Sequence, residues 1–459
     1  MAKIVIIGAG LTGLSAAYHL EKKGFFDYQL FEKESTIGGL CKSVYQDGFT
    51  FDFTGHLLHT SDDYFRALIE QTVGLDQLQV INRRSFIYSQ ETYTRYPYQI
   101  NLHGLPIDTI IECIDGYISR PKYKKQPHNF VQWVHQHFGV GFARHFFMPY
   151  QNKIFAYDVR KITASWTNRF VPSTSLQQIL RGTLHDTYNE AIGYNAHFLY
   201  PKQGGIMSWV HRFATHIKNP IRTNFCVKTI NMRTKTVIFT NGHCEPFDQL
   251  ITTIPLDVLL NRLQEKSDSF LSNAHRYLRC NKVLNFNLGV SRDDLSDKHW
   301  IYFPEKQYPF YRLGFPHNFA TSSVPAGHSS LYGEFAYLRK SAAWVSRTTQ
   351  EAIAATKRLL HIDNAQIVTE CIIPIPHAYV IYDTWRDQYL PKLLSTLSKQ
   401  QVYSIGRYGE WKYSSMQEAV LDGKKIADTL TVLPAYKTTH ALIQPSITAI
   451  KEKVHAPHA

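Results

Sequence analysis

A glycine-rich turn close to the start of the chain constrains the fold most strongly. Residues 4–7 form an apolar run, which is followed directly by Gly8, Gly10 and Gly13 in a Gly-x-Gly-x-x-Gly pattern. The pattern of residues 14–20 then predicts a helix. A strand, a glycine turn and a helix in this order suit the pyrophosphate of a dinucleotide, because glycines allow a tight turn and close approach of the backbone to the anion.

A second strand and a second glycine turn extend this signature. Residues 28–31 predict a strand that ends in Glu32, at the spacing where a carboxylate accepts hydrogen bonds from ribose hydroxyls. A Gly-Gly pair follows at 38–39, which resembles the extended signature of FAD-binding proteins. The alternative is an ordinary α/β domain whose glycine turn binds nothing. The cofactor-binding residues predicted in this region are Gly8, Gly10, Gly13, Leu14, Glu32, Lys33, Gly39 and Leu40.

The size and charge of the chain limit its class. With 459 residues, 44% of them hydrophobic and 19% charged, the chain is expected to fold into two or more globular domains. A formal net charge of +13 favours an anionic partner. The basic run at 121–125 is short and is interpreted as a solvated loop, so we expect no nucleic acid.

The spacing of the cysteines and the length of the apolar segments indicate in which cellular compartment the protein is expected. The six cysteines show no metal-ligand spacing, so we expect no metal site and a reducing environment. No run of about 18 apolar residues predicts a membrane span. The glycine motif begins at residue 8, which leaves no room for a signal peptide. These features predict a cytoplasmic protein.

The order of patterns predicts a nucleotide-binding domain that is interrupted twice. Segments 1–60, 200–280 and 395–432 are assigned to this domain, because strands near 250 and 402–405 return to the first sheet. Segment 61–199 is predicted to be a mainly helical insertion, and 281–394 an antiparallel sheet that binds substrate. Residues 433–459 are predicted to be a mobile tail. The expected fold class is α/β, with a Rossmann-like FAD-binding domain.

Dispersed segments of this chain resemble the UDP-galactopyranose mutase family, especially its eukaryotic-type branch, within the wider group of amine oxidase- and protoporphyrinogen oxidase-like flavoproteins. The similarity runs over most of the chain in a shared order. It is strongest at 302–312, which is similar to the strand that carries a substrate arginine, and at 406–413, which is similar to a C-terminal flavin motif. The other similar segments are 54–58, 95–101, 149–155, 166–169 and 200–205.

The resemblance implies a reaction without net redox change. In this family reduced FAD forms an adduct between its N5 atom and the sugar, and thereby interconverts pyranose and furanose forms of a UDP-hexose; NAD(P)H is a possible reductant. The implied partner is a UDP-sugar, and the oligomeric state stays open. Residues matched to catalytic positions are His56, Arg169, Arg312, Tyr379 and Tyr413. Further residues matched to the flavin are Gly55, His56, Val227, Gly406, Arg407, Met416 and Gln417.

The chain departs from the family in one place. The family continues past the final tyrosine of the motif with Asn-Gln-Asp-His-Ser, whereas this chain has Ser-Ser-Met-Gln-Glu at 414–418. The sugar and the hydrogen bonds to the flavin are therefore open. Two alternatives follow: a flavin oxidase or desaturase of the amine oxidase type, which needs no paired phosphate-binding arginines, and a flavin-binding protein without turnover.

Overall fold

A computed structural model describes residues 3–121, 126–186, 196–264 and 269–432 of the chain; of the side chains of Asn168, Arg169 and residues 431–432 nothing is described. Most of the basic run at 121–125 and the tail predicted at 433–459 therefore lie outside the described residues. The strands are β1 (Ile4–Ile7), β2 (Tyr28–Phe31), β3 (Ser43–Gln46), β4 (Phe49–Asp52), β5 (Leu78–Asn82), β6 (Ser85–Ser89), β7 (Thr92–Arg95), β8 (His197–Pro201), β9 (Ile221–Arg222), β10 (Val227–Asn231), β11 (Thr236–Phe239), β12 (Cys244–Pro246), β13 (Gln249–Thr252), β14 (Leu263–Gln264), β15 (Lys282–Val290), β16 (Trp300–Tyr302), β17 (Arg312–Gly314), β18 (Ser329–Tyr337), β19 (Ile367–Ile375) and β20 (Val402–Ser404).

The α-helices are α1 (Leu11–Lys22), α2 (Asp63–Thr72), α3 (Ile107–Ile118), α4 (Phe130–Phe142), α5 (Met148–Phe155), α6 (Thr167–Phe170), α7 (Leu176–Leu184), α8 (Gly205–Ala214), α9 (Leu256–Arg262), α10 (Ser269–Ala274), α11 (Ala342–Leu360), α12 (Thr384–Lys399), α13 (Gly406–Gly409) and α14 (Met416–Val432). A π-helical segment, Ala143–Phe147, joins α4 to α5.

A five-stranded parallel sheet carries the glycine turn. Its order is β20-β13-β1-β2-β9, so strands from three distant parts of the chain lie side by side. β1 is buried along its whole length, as expected for a central parallel strand that is covered on both faces. The strands predicted near 250 and at 402–405 do return to this sheet, next to β1 and β13.

A seven-stranded sheet forms the second layer, in the order β19-β15-β18-β17-β16-β6-β7. Its pairs are antiparallel, except that β16 and β6 run parallel. One face packs against α11 through Leu284, Phe286 and Phe335. The other face of β15 is close-packed against the β3–β4 hairpin, since a Cβ on Gly289 would lie only 2.7 Å from the ring of Phe49. The α/β fold class with a mainly antiparallel second sheet is thus confirmed.

The segment 61–199 contains α2 to α7 and also supplies β6 and β7 to the large sheet. The predicted domain boundaries stay a prediction. Within this segment α3 and α4 approach each other very closely, because a Cβ on Gly139 or on Gly141 would overlap the backbone of α3. Among the described helices, none combines the length and the apolar character needed to cross a bilayer.

Candidate functional site

The two glycine turns face each other beside the N-terminus of α1. A Cβ on Gly13 would lie 1.9 Å from the carbonyl oxygen of Gly8, so α1 packs against the turn as closely as glycine allows. A Cβ on Gly10 would lie 3.7 Å from the Cα of Gly39, and the N–H of Gly38 donates to the oxygen of Ala9 at 2.9 Å. The groove between the turns is therefore lined by backbone and open to a ligand.

The helix N-terminus at this groove lacks a protein cap. Gly10 occupies the N-cap position without a side-chain hydrogen bond, although Leu11 and Thr12 are buried. The first N–H groups of a helix need an acceptor, and an anion supplies one. This arrangement fits a pyrophosphate.

The predicted ribose acid is fixed beside the same turn. The buried carboxylate of Glu32 accepts from the N–H of Ala9 at 2.8 Å and from the N–H of Glu34 at 3.0 Å. The N–H of Phe225 donates to the backbone oxygen of Glu32 at 2.8 Å. This bond brings the segment just before β10 to the end of β2. Val227, the first residue of β10, is buried. Glu32 and Val227 thus lie at one end of the groove, whereas Lys33 is exposed and pairs with Glu34.

The second glycine unit touches the first. Gly406 has φ +80°, and a Cβ there would lie 2.6 Å from Oγ1 of Thr12, so α13 begins directly against α1. Arg407 follows: its Nη1 donates to the oxygen of Ser414 at 2.7 Å, and its Nη2 donates to the oxygen of Ala378 at 3.2 Å. Arg407 therefore connects the loop before Tyr379 with the loop after Tyr413.

The remaining residues predicted at the cofactor differ in where their side chains lie. Leu14 and Met416 are buried in the core between the parallel sheet and its helices, and Leu40 packs against the neighbouring core. The side-chain oxygen of Gln417 accepts from the N–H groups of Ser61 and Asp62 at 2.9 and 3.0 Å. That side chain therefore holds the start of α2, and the backbone N–H of Gln417, in the first turn of α14, is the group left for the flavin.

The loop at 54–56 lies over the large sheet. Thr54 adopts φ +76°, which is unusual for a β-branched residue. A Cβ on Gly55 would overlap the hydroxyl of Tyr332, so glycine is required there. Nδ1 of His56 is buried and makes no hydrogen bond within the described part of the chain. Burial, reinforced by the charges of Arg407 and Arg312, lowers the pKa of His56 to about 4, so the ring is neutral near pH 7.

A row of polar side chains crosses four neighbouring strands of the large sheet. Asn285 on β15 lies opposite Glu334 on β18, which lies opposite Arg312 on β17, which lies opposite Tyr302 on β16. Directly opposed residues of paired strands project from the same face. Tyr332 is on this face too, two residues from Glu334, and contacts the loop of Gly55.

The centre of this row is an ion pair. Nη2 and Nε of Arg312 donate to the two carboxylate oxygens of Glu334 at 2.7–3.1 Å, and Glu334 is fully buried. Burial alone would lower the pKa of Arg312, but Glu334 and the nearby tyrosines raise it well above its ordinary value. Nη1 of Arg312 makes no hydrogen bond to any described residue and stays available to an acceptor.

Contacts between aromatic rings connect the predicted residues Tyr379 and Tyr413 with the strand that carries Arg312. The rings of Tyr379 and Tyr413 are 6.2 Å apart, and Tyr379 is 6.4 Å from Tyr311, the neighbour of Arg312. Phe170 at the end of α6 lies 5.8 Å from Tyr413. The backbone of Arg169 belongs to the same helix, so its helix reaches the cluster, while its side chain lies outside the described residues.

A small aromatic pocket opens next to the cluster. It encloses about 100 Å³. Its lining includes Gln99, Phe146, Tyr150, Trp166, Phe170 and Tyr302. The amide of Gln99 donates to the oxygen of Pro172 at 2.9 Å, which holds the segment after α6 against the pocket. Flat aromatic walls with an amide at one side suit the face of a heterocyclic base.

Three residues of the cluster were missed by the sequence interpretation: Glu334, Tyr332 and Tyr150. The alternation along 331–337 predicts a strand, but it does not show that Glu334 faces a buried arginine 22 positions away. Tyr150 was within a segment similar to the family, without a role assigned to it. No group of three or more potential metal ligands occurs within the described ranges.

The site as a whole fits FAD. An uncapped helix N-terminus, two facing glycine turns and a buried carboxylate suit an adenosine diphosphate. The neutral His56 and Arg407, each with a buried ring or guanidinium nitrogen that bonds no described residue, are available to the flavin.

Residues 11–431 match the family described as flavin containing amine oxidoreductase. A crystal structure of reduced UDP-galactopyranose mutase is similar over 94% of both chains, with 28% identity and a TM-score of 0.88. A putrescine oxidase shares the fold at 14% identity and a TM-score of 0.63, over 94% of this chain and 99% of the other.

Curated relatives match over short regions. A 4,4'-diapolycopene oxygenase from a Methylomonas species is 46% identical over 66 residues, and a 4,4'-diapophytoene desaturase from Staphylococcus aureus is 40% identical over 85 residues. These matches span only 13% and 17% of the relatives' length, and 14% and 17% of this chain.

Proposed function

Because this chain belongs to the flavin containing amine oxidoreductase family, we propose on that premise that it is an FAD-dependent mutase that interconverts the pyranose and furanose forms of a UDP-hexose. The observation that carries this proposal is the position of Arg312. Its guanidinium group is oriented by Glu334, keeps Nη1 free of described partners, and lies within an aromatic cluster that includes Tyr379 and Tyr413.

The proposed role of Arg312 and Arg169 is to bind the diphosphate. An arginine with two nitrogens fixed by a carboxylate presents its remaining N–H groups in one direction, which suits phosphate oxygens. Arg169 is the second proposed phosphate ligand, because its helix reaches the same cluster through Phe170. We propose that the pocket beside Trp166 and Tyr302 takes the uracil ring.

The tyrosines are proposed to orient the diphosphate. The hydroxyl of Tyr413 donates to the oxygen of Val380 at 3.0 Å, which holds the phenol in place. To bind the diphosphate, its single O–H would turn from Val380 to a phosphate oxygen. The N–H of Tyr413 donates to the hydroxyl oxygen of Tyr382 at 2.8 Å, which fixes the backbone there. Burial raises the pKa of Tyr413 well above its ordinary value, so this group stays a neutral hydrogen-bonding phenol.

Bound reduced flavin would supply the nucleophile for the sugar. The chain's contribution is then to exclude water, to hold the leaving diphosphate and to keep His56 uncharged beside the ring. A neutral His56 adds no positive charge that would compete with Arg312 for the anion. Since the overall reaction transfers no electrons, the protein needs a reductant only once, and we propose NAD(P)H.

An oxidase or desaturase is the second candidate, supported by the short matches to carotenoid enzymes. Such an enzyme needs an apolar cavity for its substrate. The buried Arg312–Glu334 pair beside the pocket is better suited to an anion, which favours the mutase.

None of the six cysteines is in a disulfide, which supports a reducing compartment such as the cytoplasm.

The proposal is tested by incubating the dithionite-reduced holoprotein with UDP-galactofuranose without oxygen and separating the nucleotide sugars by chromatography. Formation of UDP-galactopyranose supports it. Arg312→Ala is expected to lose conversion while it keeps the flavin spectrum. If no UDP-hexose is converted, while the oxidised protein produces peroxide with an amine or carotenoid precursor, the oxidase assignment replaces it.

A further inference from the structure

The pairing between β15 and the segment after β19 is interrupted beside the aromatic cluster. Regular pairing ends with Val283 opposite Ile375 and resumes with Cys280 opposite Val380. Two residues of one segment therefore face four residues of the other, and Tyr379 is one of these four. Such a bulge bends the backbone and re-aims a side chain, and bulges are common next to active sites. This bulge determines where Tyr379 points.

One buried side chain replaces a bond that the bulge interrupts. Asn281 is completely buried, and its Oδ1 accepts from the N–H of Tyr379 at 2.8 Å. The backbone N–H of Asn281 donates to the oxygen of Tyr379 at 3.0 Å, and its backbone oxygen accepts from the N–H of Ala378 at 3.1 Å. Asn281 thus pairs an N–H that the irregular ladder would leave without an acceptor inside the protein.

The other half of the Asn281 amide binds α5. Its Nδ2 donates to the oxygen of Ile154 at 2.7 Å. This carbonyl belongs to the last turn of α5, where no later N–H of the helix can reach it. One acceptor and one donor are both needed here, which an amide side chain supplies in neutral form. Asn281 therefore joins the end of α5 to the backbone of Tyr379.

The same helix packs against the strand that carries the proposed phosphate ligand. On α5 the ring of Tyr150 lies 6.4 Å from the ring of Tyr311, which directly precedes Arg312. At the end of α5 the ring of Phe155 lies 6.3 Å from the ring of Tyr379. A side chain that fixes Tyr379 to α5 therefore also fixes its distance from Arg312.

The hydroxyl of Tyr379 is not used within the described part of the chain, where no group hydrogen-bonds it. The neighbouring phenols differ in this respect. The hydroxyl of Tyr413 donates to the oxygen of Val380, and that of Tyr408 donates to the oxygen of Ala378. The hydroxyl of Tyr379 can thus donate to a ligand without breaking a bond, provided that its ring points in the right direction.

Two further contacts hold the bulge, but they hold other residues. Nε2 of His377 lies 3.1 Å from a carboxylate oxygen of Asp257, and Nη2 of Arg407 donates to the oxygen of Ala378 at 3.2 Å. Among the described side chains, that of Asn281 is the one that bonds the backbone of Tyr379 itself. The direction of the Tyr379 ring therefore depends on Asn281 more directly than on these contacts.

We propose that Asn281 is a positioning residue for binding of the diphosphate and that it acts through Tyr379. Asn281 itself touches neither the diphosphate nor the flavin. When its side chain is removed, the bulge relaxes, and the hydroxyl of Tyr379 must be ordered at each binding event, which weakens binding. This inference rests on the proposed function, because Tyr379 has an anion to bind only if a nucleotide sugar occupies the cluster.

The test is a double-mutant cycle, with titration of UDP into the flavin-bound protein. Asn281→Ala and Tyr379→Phe are each expected to raise the dissociation constant of UDP about tenfold, the scale of one lost hydrogen bond to a charged group. In the Tyr379→Phe background, Asn281→Ala is expected to change it less than twofold, because the hydroxyl that it positions is already absent. A merely structural role would not produce this coupling.

A second variant covers the case in which the alanine protein does not fold. Asn281→Ser is also neutral, and its hydroxyl with a water molecule can pair the buried groups that alanine leaves unpaired. We expect it to fold, to raise the dissociation constant of UDP at least threefold, and to have no further effect in the Tyr379→Phe background.

Asn219→Ala is the matched control. Nδ2 of Asn219 also binds backbone carbonyls, those of Phe26 and Tyr28 at 2.8 and 3.2 Å. Asn219 lies near the amino ends of β2 and β9, whereas the cofactor groove lies at the carboxyl ends of the parallel strands. Its removal is expected to lower the thermal midpoint and to leave UDP affinity unchanged.

The outcomes separate this inference from the proposed function. If wild type binds UDP and both Asn281 variants bind it equally well, Asn281 has no positioning role. Losses from Asn281→Ala and Tyr379→Phe that add in full would also overturn the inference, while the proposed function would stand. Wild-type holoprotein that binds no UDP would remove the proposed function, and this inference with it.

Discussion

Arg312 and Glu334 lie directly opposite each other on neighbouring strands, and two nitrogens of Arg312 bind both carboxylate oxygens of Glu334. Glu334 is fully buried and the side chain of Arg312 is only 19% exposed. The pair neutralises a cation inside the protein and at the same time fixes its direction. A guanidinium group held in this way loses little conformational freedom when it binds a further acceptor.

Removing the carboxylate should destabilise the protein. Glu334→Gln leaves a buried guanidinium group without its counter-ion, which costs on the order of 3 kcal/mol. Glu245→Gln is the matched control, because Glu245 is also buried but pairs with the partly exposed Lys3. We expect a clearly lower thermal midpoint for Glu334→Gln than for the control. Equal midpoints would show that Glu334 does not stabilise Arg312.

Flavin binding can be separated from folding at Gly10. Its backbone is in an ordinary conformation, and an added Cβ would make only a 3.7 Å contact with Gly39. Gly10→Ala should therefore fold, but its methyl group would occupy the groove between the two glycine turns. We expect a folded protein, by circular dichroism, with little bound flavin. Full flavin occupancy in this variant would contradict the assignment of the groove.

The link formed by Arg407 should matter for substrate more than for fold. A lysine has one nitrogen, so Arg407→Lys cannot reach the oxygens of Ala378 and Ser414 together as Arg407 does. We expect weaker UDP binding by about 1–2 kcal/mol, the scale of one or two lost hydrogen bonds, because Tyr379 and Tyr413 lose their common support. The measurement is titration calorimetry, and unchanged affinity would argue against this positioning role.

Four buried histidines predict a pH dependence of stability. Burial is the main cause that lowers the pKa to about 4, from an ordinary value of 6.5, in His19, His56, His59 and His299. Between these values the unfolded chain binds protons that the folded protein does not bind. Stability from these groups is therefore full above about pH 6.5 and is lost as the pH falls towards 4.

Two buried carboxyl groups oppose this effect in nearly the same range. Burial raises the pKa of Asp52 and of Asp422 to about 6 from 3.8, so these groups favour the folded state as the pH falls. Four histidines outnumber two aspartates, and we expect the thermal midpoint to rise between pH 4.5 and 6.5. A midpoint that is constant or falls with rising pH in this range would contradict the burial of the histidines.

The sequence predicted the elements whose signals are local. The strand–glycine–helix unit at 4–20, the helix from 416 and the strands near 250 and 402 depend on short-range patterns, and all of them were found in the structure. The seven-stranded sheet was predicted in its centre, at 282–290 and 331–337. Its parallel edge, where β6 joins β16, was not predicted, because pairing between strands more than 200 residues apart leaves no local pattern.

The site was predictable only through its similarity to a family. Arg312, Tyr379 and Tyr413 are singled out by motifs, and the structure brings Tyr379 and Tyr413 within 6.2 Å of each other. Glu334 carries no such motif, since its role depends on cross-strand register. Gln417 is predicted at the flavin; its side chain binds the start of α2, because a buried amide takes the nearest unpaired backbone groups, so that prediction now concerns its backbone.

The central claim is that Arg312 holds a diphosphate, and titration of UDP into the holoprotein tests it most directly. Calorimetry should show that Arg312→Ala weakens UDP binding by about 1.5–3 kcal/mol, the scale of a charge-assisted hydrogen bond, with an unchanged flavin spectrum. Arg292→Ala is the matched control, because Arg292 forms an exposed pair with Asp294. UDP affinity that is equal in wild type, Arg312→Ala and the control would contradict the account.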